Sequence, residues 1–355
     1  MSVHQSERSV FVRRRGVQLA LLAGIALGQT ALAADTSTRR PPLTGSNTFS
    51  TSTSIIDFAP GTWTDGVERH LSDYKGKVIV IFSFDPSYLD SPKDVKKKLE
   101  LYDLFRDKPV AFLGVINGRR DINLTKALLK QLEVNHPMYY DNIGQMSAPF
   151  PGGYYVYLRM IDAEGKLGFS GVTPSELDAA LKDVKWKYKE GGYDKKLDGI
   201  VDLFEWNHYE QGMKQLKPLR KSQNKEIAAP AEKLFQDVHT EGEKWKAEAD
   251  GAVESDPVKA FDLYTKLASV FAGEDLGKAT AEPLKGLKSS KPLQDELAAR
   301  EMFAKLNTVI PRARYEQRMD VADYCAGIHK KYPETPTGKK AAALNDDLMN
   351  ARGMR

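Results

Sequence analysis

Short β-branched runs alternate with helically spaced apolar residues through the first half of the chain, and helical spacing alone fills the second half. Val78-Ile79-Val80-Ile81-Phe82 is wholly apolar and lies between Lys75-Gly76-Lys77 and Asp85-Pro86, the pattern of a strand covered on both faces. Lys93–Phe105 then carries Val95, Leu99, Leu101, Tyr102 and Phe105 on or near one helical face. Val110–Val115 predicts a second buried strand, Leu124–Leu132 a second helix, and Tyr154–Ile161 a third long strand turned by Asp162-Ala163-Glu164-Gly165 into Lys166–Phe169. Ser175–Val184 closes this unit as a helix behind the start signal Thr173-Pro174. Ahead of the first strand, Ile56–Pro60 and Trp63–Leu71 predict a short β-hairpin turning at Asp65-Gly66.

After Trp186 the strand-like runs stop, and Lys, Glu, Ala and Leu dominate. Helices are expected over Ile200–Phe204, over Gln211–Lys217 up to an interruption at Pro218, over about Pro230–Ala252, from Asp256-Pro257 through Phe271, and over Leu293–Leu306. A repeat appears here. Phe271, Gly277-Lys278 and Leu287 recur 61 residues later as Tyr332, Gly338-Lys339 and Leu348. In each copy a helix ends on an aromatic residue, a polar turn follows and a second helix starts near the Gly-Lys, which is the helix–turn–helix unit of a tetratricopeptide-like array. Tyr264, Phe271, Tyr324 and Tyr332 are candidates to line a peptide groove, or else are packing residues at the ends of hairpins.

In the first half, LSDYKGKVIVIFSF, LYDLFRDKPVAFLGV and MIDAEGKLGF occur in an order that resembles the TlpA/alkyl-hydroperoxide-reductase branch of the thioredoxin superfamily, over about Ile55–Trp186. The resemblance implies a central sheet flanked by helices and places a Cys-x-x-Cys at the start of the first main helix. There the helix N-terminus lowers a thiol pKa and the second cysteine resolves the mixed disulfide. Those two positions fall on Ser87 and Asp90, and the family's cis-proline falls on Val156. A serine hydroxyl does not exchange with a disulfide, and Asp90 cannot resolve one. Ser87 or Asp85 suits a helix cap. A hydrolase reading of Ser87 requires a histidine beside it, and His70 and His136 are the histidines of this region. Tyr88, in the same loop, is a candidate contact residue.

Composition narrows the function without naming it. Among the 355 residues, 41% are apolar and 28% charged, ordinary for a globular protein. Arg13-Arg14-Arg15, the apolar run Val17–Leu27 and Ala31-Leu32-Ala33 form the three parts of a secretory signal, with a cut expected before Ala34. Residues 1–33 hold four arginines and one glutamate, a net of +3, so about +1 of the chain's +4 remains after cleavage. That gives little support for nucleic-acid binding. Lys185–Lys196, KWKYKEGGYDKK, interleaves lysine with aromatics and reads either as a groove for a polyanion or as a linker around its glycine turn. Cys325 is the one cysteine and reads as a small buried apolar residue. The six histidines are too far apart in sequence for ligand spacing, and no phosphate-binding glycine loop is present, so neither a metal nor a cofactor is expected.

The expected architecture is therefore a signal peptide (1–33), a disordered stretch (34–54), an α/β thioredoxin-like domain (55–186), a linker (187–197) and an all-α helical-hairpin, tetratricopeptide-like domain (198–355). The expected role is that of a redox-inactive binding or scaffold module of the bacterial cell envelope, periplasmic or secreted, holding a protein partner with no stable membrane anchor. The alternative is a thiol-disulfide oxidoreductase or peroxidase that borrows Cys325 or a partner's thiol.

Overall fold

The computed structural model describes residues 57–59, 62–85, 91–117, 121–134, 136–147, 157–170 and 172–350. The expected signal peptide and the residues up to 56 lie outside that set, as do Ser87, Tyr88, Asp90 and Val156.

Six strands form one sheet: β1 (Thr62–Trp63), β2 (Val78–Phe84), β3 (Val110–Asn117), β4 (Met138–Asp141), β5 (Tyr157–Ile161) and β6 (Leu167–Ser170), in the order β1-β4-β3-β2-β5-β6. β2, β3 and β4 are parallel neighbours, in register through Phe82↔Gly114 and Gly114↔Met138. The β5–β6 hairpin adds antiparallel to β2, with Ile79 opposite Ile161. Helices α1 (Ser91–Phe105) and α2 (Ile122–Gln131) connect the parallel strands, and α3 (Pro174–Leu181) follows the hairpin. This strand order, with crossovers between parallel neighbours and an antiparallel hairpin at one edge, is that of a thioredoxin-like α/β domain.

Period two along β2 divides the core. Val78, Val80 and Phe82 face the side covered by Val95, Leu129 and Leu177 of α1, α2 and α3. Ile79 and Ile81 face the other side, where Phe58, Trp63, Tyr74, Tyr139 and Met146 pack. Gly114 lies between the Met138 and Phe82 side chains, and a Cβ there would collide with both.

Two expectations about this half are corrected. The Asp65-Gly66 turn forms, with Gly66 at φ +77° and its N–H bonded to the Trp63 carbonyl. It does not close a hairpin, however. β1 pairs antiparallel with β4, and Arg69 folds back onto Asp65 in a paired contact of 2.7 Å. β4 is a strand that the apolar pattern does not predict: Met138–Asp141 is short and carries two tyrosines and an aspartate in place of a β-branched run.

The second half is helical: α4 (Asp198–Glu205), α5 (Tyr209–Arg220), α6 (Lys225–Ala252), α7 (Pro257–Val270), α8 (Asp275–Lys278), α9 (Ala281–Leu287), α10 (Lys291–Ala304), α11 (Leu306–Val309), α12 (Arg318–Lys331) and α13 (Pro336–Asn350). Pro218 lies inside the last turn of α5, and the helix ends two residues beyond it, at Arg220, rather than at Lys217. α6 starts ahead of Pro230, because the Asn224 side chain accepts from Glu226 N at 2.9 Å and caps the helix.

These helices build two cores. The first runs from Tyr188 to Leu293 around α4–α7, and the second gathers Leu306, Ile310, Val321, Cys325, Ile328, Leu344 and Leu348 with Ala59 and Ile143 of the α/β part. α10 spans both, with Leu293 and Leu297 packed on the first and Met302 and Phe303 on the second. The 61-residue repeat has a structural counterpart. Glu274 N bonds to the Phe271 carbonyl at 2.9 Å, and Thr335 N to the Tyr332 carbonyl at 3.4 Å. In each copy the glycine six residues after the aromatic lies against that same carbonyl, where a Cβ would collide with it. The copies then differ. Pro283 near the start of α9 goes with a break after α8, whereas α13 runs unbroken to Asn350.

Candidate functional site

The C-terminal end of β2 and the start of β5 meet at the Ser83–Tyr157 pair. This is where the resemblance places Ser87, Asp90 and Val156. Those residues lie outside the described set. Ser83, at this end of the sheet, is buried. His70 Nδ1 lies 3.2 Å from Asp57 Oδ2, and that bond raises its pKa. His136 stands edge-on to Tyr102 and Phe82, and burial lowers its pKa.

Cys325 is 0% exposed, in the second helical core between Ala322 and Ile328, and burial pushes its thiol up to about 12. A thiol held there is protonated and out of reach at neutral pH. The candidate groove aromatics also separate. Tyr264 and Phe271 are 2% and 0% exposed inside the first core, with Tyr264 Oη bonded to Asp250 at 2.6 Å. Tyr324 donates to the Met302 carbonyl at 3.0 Å and packs on the second core, and Tyr332 caps the end of α12. The structure does not bring these four onto one open surface; aromatics at hairpin ends fill the space between helices.

The segment expected to be a linker is a packed joint. Glu205, at the end of α4, pairs with Lys77 at 2.5 Å, and the two side chains are 0% and 6% exposed. The same carboxylate accepts from the backbone N–H groups of Lys187, Tyr188 and Lys189 at 2.8, 2.7 and 3.2 Å. Burial alone would raise the Glu205 pKa, but the amide bonds and Lys77 outweigh it and hold the group below the ordinary glutamate value. Lys77 also donates to the Lys185 carbonyl at 3.1 Å. Beyond α4, Asn207 adopts φ +61° and its side chain donates to the Asp73 carbonyl at 2.9 Å, while Trp206 packs against Tyr74 and Trp186. Two of the three lysines of the KWKYKE stretch are likewise engaged within the chain: Lys187 with Glu241 at 2.7 Å and Lys189 with Asp202 at 2.8 Å.

Over this joint opens a cleft of 850 Å³ between the Lys75–Lys77 turn, the Lys185–Lys187 strap and helices α6 and α7. Its walls include Lys75, Lys187, Tyr209, Trp245, Lys259 and Lys266. Only its Lys185–Lys187 edge falls in the stretch read from sequence as a polyanion groove or linker; the other walls come from stretches far apart in the chain. Among the described residues no group of three or more His, Cys, Asp or Glu side chains is placed to hold a metal ion, and no helix is long and apolar enough to cross a membrane.

No family model matches the sequence. No curated protein matches it either. Among solved structures the chain is similar to a thiol:disulfide interchange protein of the thioredoxin family from Chlorobium tepidum, with 18% identity, 37% of this chain and 95% of that chain covered, and a TM-score of 0.30. It is similar also to an exposed lipoprotein thioredoxin from Streptococcus pneumoniae, at 23% identity, 36% and 98% coverage and a TM-score of 0.30. A secreted thiol-disulfide isomerase from Corynebacterium glutamicum is a third, at 14% identity, 36% and 82% coverage and a TM-score of 0.30. Strand order and register, rather than these likenesses, carry the fold assignment.

Proposed function

We propose that this chain is an exported thioredoxin-like protein of the bacterial cell envelope that binds a protein partner and performs no thiol exchange. The observation that carries the reading is the position of its thiol. One cysteine exists in 355 residues, and it is sealed in the second helical core with its pKa pushed up to about 12. Thiol–disulfide exchange needs an accessible thiolate as attacking group. With Ser87 and Asp90 at the positions where the resemblance puts cysteines, the α/β part supplies none. The tetratricopeptide-like reading of the helical half and the export signal of residues 1–33 belong to the same proposal; the repeated aromatic–turn–glycine unit supports the first and the Arg–apolar–small layout the second.

The test is direct. Purified mature protein is assayed for disulfide reduction and for peroxide turnover beside Cys325→Ala. No turnover above buffer is expected from either. Turnover by the wild-type protein that disappears in Cys325→Ala overturns the reading in favour of thiol chemistry. Pull-downs from envelope extract with the mature chain as bait address the partner, and absence of any saturable partner counts against a scaffold role.

A further inference from the structure

The wall of the 850 Å³ cleft has an uneven charge arrangement. Each of its acids is engaged. Glu205 is bound to Lys77, Glu241 to Lys187, Glu248 to Lys259 at 2.8 Å and Asp262 to Arg300 at 2.6 Å, while Asp256 accepts from Lys259 N at the start of α7. Among the cations, Lys75, Lys185 and Lys266 have no carboxylate partner among the described residues. Lys266 is the best placed of these. It rises from α7 half-buried, with its ammonium 3.6 Å from the Trp245 ring centroid and 4.8 Å from that of Tyr209. The two rings stand edge to face, 4.7 Å apart, and the Trp245 indole N–H is tied to Glu241 at 3.1 Å, so the platform beneath the cation is fixed. Aromatic faces attract an ammonium, but they supply no hydrogen-bond acceptor in place of the water that burial removes.

We propose that this cleft is a binding site for an oxyanion, a ligand bearing carboxylate or phosphate oxygens that accept from the Lys266 ammonium, with Lys75 and Lys185 on the rim. The volume falls within the range of small-molecule sites. The proposal does not depend on the absence of thiol chemistry. The shared chemistry admits two sources, a free small anion or the acidic side chains of a bound peptide, and the experiment separates them.

The titration of Lys266 supplies a readout that a purely structural lysine would not. Burial first, then the neighbouring Lys187 and Lys75, hold its pKa down to about 8 against the pull of Glu241 and Glu248. Tyr209 also faces it, with its own pKa raised by burial to about 12, and His208 and Glu210 line a second pocket with it. The free site therefore loses its central charge as pH rises through about 8, and oxyanion affinity falls with it.

Calorimetric titrations of the full mature chain with citrate, inorganic phosphate and a hexaglutamate peptide, at low ionic strength and at pH 7 and 9.5, test this. Lys266→Met keeps the apolar stem over Trp245 and removes the charge; Lys266→Arg keeps the charge at both pH values; Lys75→Gln changes only an exposed rim residue. Circular dichroism checks each fold. The expected result is saturable binding of at least one probe, weakened tenfold or more in Lys266→Met, weakened severalfold in Lys75→Gln, and falling with pH in the wild type but not in Lys266→Arg. Binding of citrate or phosphate identifies a small anion as the source; binding of hexaglutamate alone identifies an acidic peptide. Failure of all three probes to bind, or equal binding by wild type and Lys266→Met, overturns the proposal. Should Lys266→Met not fold, a wild-type affinity that is flat between the two pH values overturns it equally.

Discussion

The two helical cores are fastened to the α/β part by joints of opposite chemistry. The first core is held by a charge: Lys77 at the entry to β2 against Glu205, with three backbone N–H groups completing the carboxylate. The second is held by neutral groups. Asn142, just after β4, donates to the carbonyls of Ile310 and Ala313 at 2.5 and 2.7 Å, and Ala59 and Ile143 enter the apolar core of α12 and α13. Two carboxyls lie beside this second joint. Asp141 accepts from Gln145 N and Met146 N, each at 2.9 Å, and burial raises it to about 7. Burial likewise raises Asp347 of α13 to about 7, and its charge acts on Asp141. A joint made from a matched ion pair is insensitive to pH near neutrality and intolerant of losing one partner. A joint beside nearly neutral carboxyls is weakened as they ionise.

The largest expected effect comes from breaking the first joint on one side. Glu205→Ala leaves a buried ammonium and three amide donors unpaired and is expected to cost about 3–5 kcal/mol, measured by urea unfolding. The double variant Lys77→Met/Glu205→Leu removes both charges and is expected to recover part of that loss. A single variant within 1 kcal/mol of wild type would show that the pair is not buried in solution.

Next is Asp141→Ala, which removes the acceptor of two buried backbone donors and is expected to cost about 2–3 kcal/mol. The same unfolding measurement checks it, with loss of α12–α13 protection in hydrogen exchange as the local signature.

The pH dependence distinguishes the joints further. Asp141 and Asp347 have folded pKa values raised from 3.8 to about 7. Their contribution to stability is complete below the unfolded value and is lost as pH rises through the folded one. His70, raised by Asp57, acts in the same direction; His136, lowered by burial, acts against it; Glu205, lowered, loses its contribution only in acid. Tm is expected to fall between pH 5 and pH 8, and Asp347→Asn, which removes a titration without removing a hydrogen bond seen in the structure, is expected to flatten that slope. An unchanged slope would place the carboxyls in water.

The smallest effect concerns Cys325. Native protein at pH 8 is expected to resist iodoacetamide, with labelling at least tenfold faster once urea unfolds it, read by intact mass. Rapid native labelling would reopen the thiol reading.

Much of this architecture is legible in the sequence because its signals are local. The β-branched run of β2 and the apolar face of α1 declare themselves through spacing, and Thr173-Pro174 and Asp256-Pro257 cap the helices that follow them. The Phe271 and Tyr332 units show as a repeat because each turn is built within nine residues, with glycine needed where a helix start meets a carbonyl. β4 was missed because its four residues lack β-branching and are held by pairing with β3 and β1. Tyr264 and Phe271 are indistinguishable from groove residues in one dimension, since an aromatic within or at the end of an amphipathic helix serves a core or a surface equally well.

The sequence by itself determined the scaffold class, the absence of a cysteine pair and the helical nature of the second half, all consequences of short-range spacing and residue type. Only the tertiary structure decided that Lys77 answers Glu205, that the stretch after Trp186 is a joint, and that Lys266 stands over Trp245 with no paired carboxylate among the described residues. Those depend on which side chains distant stretches bring together. Burial then sets the worth of a charge, and burial is a property of the assembled chain.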